Sequence, residues 1–169
     1  YSSDGTLAIG TGANDLRPQA NLGQTGNIWG LAPWGTTHVF TAAIFKRHTK
    51  LGPGGLGAIY LTEIGDGTTP NASVFTTIPN AGTDPRPSGT YDWFHDVAAF
   101  GSVSKIGLGD IDISADHSTL YAVNLNDRQI YAVPLTAGPG GAPVAGTPTA
   151  IPMPLDLPGA SVGCANEAV

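Results

Sequence analysis

Charged residues are scarce in this sequence, and one sign is scarcer than the other. Asp, Glu, Lys and Arg make up 12% of the 169 residues, about half of the usual share. Long amphipathic helices need charge on their exposed side, so this scarcity favours strands and loops. Lys and Arg number 7 against 13 Asp and Glu, which gives a net charge of −6. Because nucleic acids bind concentrated positive charge, we expect no nucleic-acid partner.

Long apolar runs are missing, and cysteine is almost absent. No stretch of about 18 apolar residues occurs, so the sequence predicts no transmembrane segment of its own. The chain begins at Tyr1 without an initiator Met or a signal peptide, and we therefore expect a processed chain or a piece of a longer one. The single cysteine, Cys164, is either an inert thiol or half of a disulfide to a Cys outside this chain.

Glycine and proline are what the sequence has in excess. It contains 24 Gly and 14 Pro, residues that helix interiors tolerate poorly and turns require. Together with the low charge, this composition predicts an all-β chain with many turns. Few Lys residues, one Met and many Thr, Ser, Gly and Asn residues are typical of an extracytoplasmic protein, whether periplasmic, secreted or on the cell surface.

The clearest strand pattern lies at residues 107–133. Short apolar runs with β-branched or aromatic residues are separated here by clusters of turn residues, and in residues 110–114 polar and apolar residues alternate so that Ile111 and Ile113 share a face. Three antiparallel strands joined by tight turns form a meander. The predicted order is strand, turn, strand, turn and strand, over residues 110–114, 115–118, 119–124, 126–127 and 129–133.

A second copy of this pattern precedes it, at residues 26–61. Residues 39–42 (VFTA) occupy the place of residues 120–123 (LYAV), and residues 59–61 (IYL) the place of residues 130–132 (IYA). The second and third strands start 10 residues apart in the later copy and 20 apart in the earlier one, because the earlier copy carries a loop insertion near residues 45–55. Similar strand patterns around a variable loop indicate a repeat architecture.

The repeat predicts a partial β-propeller of antiparallel four-stranded blades, with a β-sandwich as the alternative. Residues 73–78 and, more weakly, 149–152 supply the fourth strands. The blades are expected within residues 1–133, most clearly at about 26–80 and 105–133. Residues 134–169 hold half of the prolines and are expected to form an extended Pro/Gly-rich connector toward a further blade. A short helix is predicted over residues 91–100, with Phe94, Val97 and Ala98 on one face.

Too few blades are present to close a ring. A closed propeller usually needs four blades or more, and an open set leaves strand edges that associate unless they are covered. We therefore expect other polypeptide chains to cover the open edges of the blades.

Four segments resemble a family of large bacterial secreted or cell-surface proteins, in which a propeller-like region accompanies SdrD B-like repeats. They are GNIWGLA (26–32), FKRHTKLGPGGLGAIY (45–60), KIGLGDIDIS with TLYAVNLNDRQIYA (105–132), and the terminal GCANEAV. The resemblance implies a propeller fold, an extracytoplasmic location and pairing of Cys164 with a later Cys outside this chain. It implies no catalytic residue and no substrate.

Two sets of residues are candidate binding sites. Lys46, Arg47, His48 and Lys50 form the one basic cluster and lie in the inserted loop, where they are either a patch for an acidic partner or glycan or a solvated loop. Trp34 lies in a predicted turn and is the better candidate for stacking on a sugar, because Trp29 alternates with Ile28 on a predicted strand and is expected in the core.

Metal binding and catalysis have weaker support in the sequence. Asp110, Asp112 and Asp116 lie close together and are a candidate Ca²⁺ site, or they are residues that fix turns. His95 and Asp96, with Asp92 nearby, suggest acid–base chemistry, but no nucleophile lies in a recognised motif. No other cofactor is predicted, and no catalytic residue is assigned.

These observations favour a non-catalytic extracytoplasmic scaffold or protein-binding subunit of a larger surface or membrane-associated assembly. Two alternatives remain open at this point. One is a carbohydrate- or matrix-binding adhesive module, and the other is a fragment of a propeller hydrolase or lyase whose active site needs further blades.

Overall fold

The chain is mostly β. A computed structural model describes residues 19–65, 71–87 and 92–152, which form two antiparallel sheets and one short helix. Cys164 and the terminal GCANEAV segment lie outside these residues. The two sheets do not close into a barrel within the described part of the chain. None of the helices in these ranges is long and apolar enough to cross a membrane.

Sheet 1 is a four-stranded meander in the order β1-β2-β3-β4. It is preceded by helix α1 (Leu22–Thr25), which Asn21 caps by accepting a hydrogen bond from the Gln24 amide. The sequence predicted all four strands within a few residues. Their bounds are β1 Ile28–Trp34, β2 His38–Ala43, β3 Ala58–Glu63 and β4 Ala72–Thr77.

Sheet 2 repeats this arrangement and then extends it. The predicted meander is confirmed, and β6 has the predicted bounds. The free edge of the long strand β7 pairs with two later strands, β8 on its second half and β9 on its first. The bounds are β5 Leu108–Ile113, β6 Thr119–Asn124, β7 Gln129–Ala137, β8 Pro143–Ala145 and β9 Thr149–Pro152.

Residues 134–152 therefore differ from the extended connector that the proline content predicted. The chain turns back at 138–142 and pairs twice with β7, which satisfies backbone groups that an extended connector would leave to water. Pro134 lies where the pairing of β7 with β6 ends and its pairing with β8 begins, and Pro143 is the first residue of β8. Proline is tolerated at such positions, where its missing backbone N–H breaks no ladder hydrogen bond.

The two sheets share the same pairing register as well as the same strand order. Phe40 pairs with Leu61 in sheet 1 as Tyr121 pairs with Ala132 in sheet 2. The first strands of both sheets have a register irregularity at the equivalent place, between Trp29 and Leu31 and between Leu108 and Ile111. The two sheets therefore share a strand order and a pattern of cross-strand pairs.

One core lies between the sheets. Sheet 1 contributes the side of its strands that carries Phe40 and Ile59, and sheet 2 contributes the side that carries Leu120 and Val133. All four side chains are buried completely. The expected core position of Trp29 is wrong, because its indole is 60% exposed on an edge strand of which only Ala32 is buried.

Candidate functional site

The inserted loop between β2 and β3 meets the segment that joins the two sheets. Their junction is a buried ion pair: Nη2 of Arg86 lies 2.8 Å from Oδ2 of Asp96, and Nε lies 3.2 Å from both carboxylate oxygens. The side chains are 3% and 0% exposed. A buried charge is stable only when it is paired and hydrogen-bonded, and here the guanidinium binds the carboxylate through two nitrogens.

The same two residues also hold the backbone of the inserted loop. Oδ2 of Asp96 accepts a hydrogen bond of 2.8 Å from the His48 amide, and Nε of Arg47 donates to the Asp96 carbonyl at 3.1 Å. Nη2 of Arg86 donates to the Lys46 carbonyl. The ion pair therefore fixes two segments that are about 40 to 50 residues apart in sequence.

Aromatic rings complete the junction. The Arg86 guanidinium carbon lies 4.5 Å from the ring centre of Phe45 and 4.9 Å from that of Trp93. The Lys50 ammonium lies 5.7 Å from the ring centre of Trp93. Cations at these distances from an aromatic face are attracted to it. We call the set Phe45, Arg86, Trp93 and Asp96 the clamp.

Three large apolar side chains project from the segment that the clamp holds. Phe94 is 91% exposed, Val97 74% and Phe100 72%. We call these residues the apolar triad. They flank Asp96 in sequence, and the Arg47 guanidinium carbon lies 5.5 Å from the Phe100 ring centre. Exposed large apolar side chains this close in sequence on a fixed segment are a candidate interaction surface.

The predicted helix over residues 91–100 is not formed. Two short 3-10 turns are present instead, at Trp93–His95 and Phe100–Ser102. The helical spacing of Phe94, Val97 and Ala98 predicted one shared helix face, but Phe94 and Val97 are exposed outside any helix, and Asp96 and Ala99 are buried. The ion pair with Arg86 buries Asp96 and leaves the neighbouring apolar side chains outside.

The candidate acid–base residues do not converge. Nδ1 of His95 lies 2.6 Å from Oδ2 of Asp92, and both side chains are exposed. This hydrogen bond, with a second from the Phe94 amide, lowers the pKa of Asp92. Asp96 lies apart from them, with its carboxylate on Arg86.

The basic cluster is brought together, but in a different role from a free patch. The Arg47 side chain and the His48 backbone bind the clamp, and Nδ1 of His48 lies 2.7 Å from the Trp93 carbonyl. Lys46 and Lys50 keep exposed side chains beside the clamp. The cluster thus anchors the loop and leaves the Arg47 guanidinium beside Phe100, one residue of the apolar triad.

Trp34 is packed rather than open to a ligand. Its Nε1 donates a hydrogen bond of 3.0 Å to the Gly141 carbonyl. Its ring contacts Phe40 edge-on at 6.4 Å and His117 at 5.7 Å between ring centres. These contacts occupy the indole N–H and join Trp34 of sheet 1 to Gly141 and His117, which lie in loops of sheet 2.

The three candidate calcium ligands are bound separately to their own backbone segments. Asp110 and Asp112 each accept a hydrogen bond from the amide of the next residue. Asp116 accepts hydrogen bonds from the Ser114 hydroxyl and from the amide and hydroxyl of Ser118, and these lower its pKa to about 2. Among the described residues, no group of three or more His, Cys, Asp or Glu side chains is placed to hold a metal ion.

Sequence reasoning missed Arg86 as a site residue and gave Asp96 the wrong kind of partner. The one available signal was the unusual position of Arg86, a rare basic residue between Pro85 and Pro87. Proline on both sides restricts the backbone around an arginine, which suits a fixed side chain. Nothing in the spacing identifies Asp96 as its partner.

Comparison with protein-family models, with curated proteins and with solved structures found no match to this chain.

Proposed function

We propose that this chain is a non-catalytic extracytoplasmic scaffold, built from two propeller-type blades, that binds a partner polypeptide through the apolar triad. One observation carries the proposal: Phe94, Val97 and Phe100 are 72% to 91% exposed on a segment fixed by a buried ion pair. A fixed binding segment loses little conformational entropy when a partner docks. Clustered aromatic side chains supply most of the binding energy in protein interfaces.

The charge around the triad narrows the kind of partner. Lys46 and Lys50 are exposed beside the clamp, and Arg47 lies against Phe100. Positive charge at the rim of an interface speeds association with an acidic surface. The proposed partner surface is therefore an apolar pocket with Asp or Glu at its edge. The resemblance to bacterial surface proteins supports an extracytoplasmic setting for this contact.

The first experiment isolates the partner and measures how its affinity depends on the triad. The full chain is immobilised and exposed to the secreted and surface proteins of the cells that produce it, and bound polypeptides are identified by mass spectrometry. The affinity of a purified partner is then measured for the native chain and for the variant Phe94→Ala/Phe100→Ala.

We expect the double variant to bind at least tenfold more weakly, with an unchanged circular dichroism spectrum, because two exposed rings are removed. Ile64→Ala removes an apolar side chain that is 45% exposed elsewhere and should leave the affinity unchanged. Equal affinity of the native chain and the double variant would refute the proposal. Binding to a glycan array that depends on the exposed Trp29 would favour the adhesive alternative instead.

A further inference from the structure

Because the two sheets have the same strand order, each face of sheet 1 can be matched with the equivalent face of sheet 2. The face of sheet 1 that lies in the core carries Ala32, Phe40, Ala42, Ile59 and Leu61. When the strands are aligned by their bounds, so that β2 falls on β6 and β3 on the first part of β7, the equivalent positions in sheet 2 are Asp112, Tyr121, Val123, Ile130 and Ala132. These residues lie on the side of sheet 2 that points away from the core. We call them, with Ile151, the open face.

The sheets therefore stack head to tail rather than front to front. Sheet 1 presents the face with Phe40, and sheet 2 covers it with its opposite face, which carries Leu120 and Tyr131. Two units in head-to-tail contact still leave one face of each kind uncovered, and only further units can close such a stack into a ring. The open face of sheet 2 is thus equivalent to the face of sheet 1 that sheet 2 covers.

The open face remains apolar although no described residue covers it. Tyr121 is 38% exposed and Ile151 45%, and Val123 and Ile130 between them are partly exposed. Val123, Ile130 and Ile151 pair across three adjacent strands and so form a continuous row. A hollow of about 120 Å³ lies beside this row, between Asp112, Tyr121 and Ile130.

A second copy of the chain presents the required face incompletely, since that face is exposed at the edge strands of its sheet 1, where Leu31 is 64% and Val74 41% exposed, but not at the centre. The equivalent face of its sheet 2 is already buried in its own core. The equivalent face of its sheet 1 is covered at Tyr60 by the chain itself: a Cβ on Gly52 would lie 2.4 Å from the Tyr60 hydroxyl and 2.5 Å from the Thr25 carbonyl. Self-covered ends of this kind are typical of the terminal units of repeat proteins.

One residue of the open face departs from its counterpart. Asp112 stands where sheet 1 has the buried Ala32, and its carboxylate accepts a hydrogen bond from the adjacent Ile113 amide. Burying this carboxylate under another sheet requires a cation or strong donor opposite it. The charge of Asp112 therefore specifies part of the chemistry of whatever covers the face.

We propose that the open face docks a third antiparallel sheet of the same kind, supplied by a further polypeptide segment. Its facing side chains are small or aliphatic with one Tyr, as on the core side of sheet 2, and a Lys or Arg lies opposite Asp112. The inference rests on the proposed scaffold function, and it names a second contact surface, separate from the apolar triad.

The test supplies such a sheet from the chain itself. The full chain, in a Cys164→Ser background, is extended after Val169 by a second copy of residues 105–152. Val123→Cys in the original sheet reports whether the open face is covered, through its rate of reaction with a soluble maleimide. Ile64→Cys, just after the third strand of sheet 1, is the matched control. The side of the added sheet that would face Asp112 has no buried Lys or Arg to pair with it. Each chain is therefore made twice, once with Asp112 and once with Asp112→Ala.

With Asp112→Ala, we expect the extension to slow labelling at position 123 at least tenfold and to leave position 64 unchanged. Ile130→Lys in the original sheet should restore fast labelling. With Asp112 retained, protection should be weaker, because the added sheet brings no cation.

Three results would count against parts of this inference. An unchanged rate of maleimide labelling at position 123 in the extended chain, whether or not the added copy folds, overturns the proposal. Protection of the unextended chain that rises with its own concentration also overturns it, because a second copy would then cover the open face. Equal protection of the chain that retains Asp112 and of the Asp112→Ala chain removes the requirement for a cation. Because no partner protein is used, this result is independent of the experiment on the apolar triad.

Discussion

At the residue scale, the Arg86–Asp96 ion pair makes the sharpest prediction. Asp96→Ala leaves the Arg86 guanidinium, whose side chain is 3% exposed, without its buried carboxylate, and removing one partner of a buried pair costs about 3–5 kcal/mol. We expect the free energy of unfolding, measured by urea denaturation, to fall by that amount. The double variant Arg86→Met/Asp96→Leu should recover most of the loss, because apolar side chains can replace a buried pair.

The control for this prediction is Asp84. Its Oδ2 lies 3.5 Å from Nη1 of Arg86, but its side chain is one-third exposed, and exposed ion pairs contribute about 1 kcal/mol or less. Asp84→Ala should therefore cost far less than Asp96→Ala. A cost for Asp96→Ala as small as that for Asp84→Ala would show that the clamp does not hold the two loops.

Asp116 predicts how stability depends on pH. Hydrogen bonds from Ser114 and Ser118 lower its pKa in the folded chain from 3.8 to about 2. Since the folded pKa is the lower one, the ionised carboxylate contributes stability above pH 3.8, and this contribution is lost as the pH falls toward 2. Asp116→Asn keeps an acceptor oxygen but cannot titrate.

The measurement is the melting temperature of both chains between about pH 5 and pH 2 by differential scanning calorimetry. The native chain should melt higher than Asp116→Asn near pH 5, and the difference should shrink as the pH falls. A difference that stays constant across this range would contradict the role of the carboxylate charge in the turn between β5 and β6.

At the element scale, the bulge of β1 brings the first strands of the two sheets together. Gly30 has a φ of +36°, and a Cβ at this residue would lie 2.8 Å from the Ile111 amide nitrogen. Gly35, in the turn after β1, also has a positive φ, of +57°, but a Cβ there would meet open space. A side chain at Gly35 would therefore add only backbone strain, whereas one at Gly30 would add both backbone strain and a steric clash with β5.

We expect Gly30→Ala to destabilise the chain more than Gly35→Ala. The alanine at position 35 adds the strain of a left-handed residue, about 1–2 kcal/mol, while the one at position 30 must also push β5 away. Urea denaturation of both variants measures the difference. Equal losses would mean that β1 and β5 can separate without cost at the bulge.

Local patterns were enough to predict most of the strands but not the exposure of their side chains. The apolar run between turn signals gave β6 its correct bounds at residues 119–124, since β-branched and aromatic residues bounded by turn residues are local features. Alternation also placed Trp29 on one face of β1, yet it carries no information on whether a neighbour covers that face. The strand β8 was missed because its three residues lie among prolines and glycines that resemble a connector.

The clamp was beyond local reasoning for a related reason. Arg86 and Asp96 are 10 residues apart and meet through irregular loops, which have no period that would predict their approach. The basic cluster was recognised as unusual, but its contacts with Trp93 and Asp96 depend on how two loops fold over each other. For the same reason, no local pattern indicates that Asp96 is buried while Phe94 is 91% exposed.

At the scale of the whole molecule, both sheets contribute to one core and are joined at their edges. Phe40 and Leu120 belong to the same buried cluster, Ile44 pairs with Gly107 in an isolated bridge, and Trp34 binds the Gly141 carbonyl. Neither sheet can bury its apolar face without the other. We therefore expect the two sheets to unfold together in one transition, as small single domains do.

Leu120→Ala in sheet 2 tests this coupling with a signal from sheet 1. Truncating a buried Leu costs about 2–5 kcal/mol, and Trp29 and Trp34 report on β1. The midpoint of urea unfolding should fall by the same amount by tryptophan fluorescence and by circular dichroism. Val123→Ala, on the open face, is the matched control and should shift both midpoints much less, because its side chain is not fully buried. If Leu120→Ala lowered the dichroism midpoint and left the fluorescence midpoint in place, the sheets would be independent units, and the head-to-tail stacking would no longer explain the core.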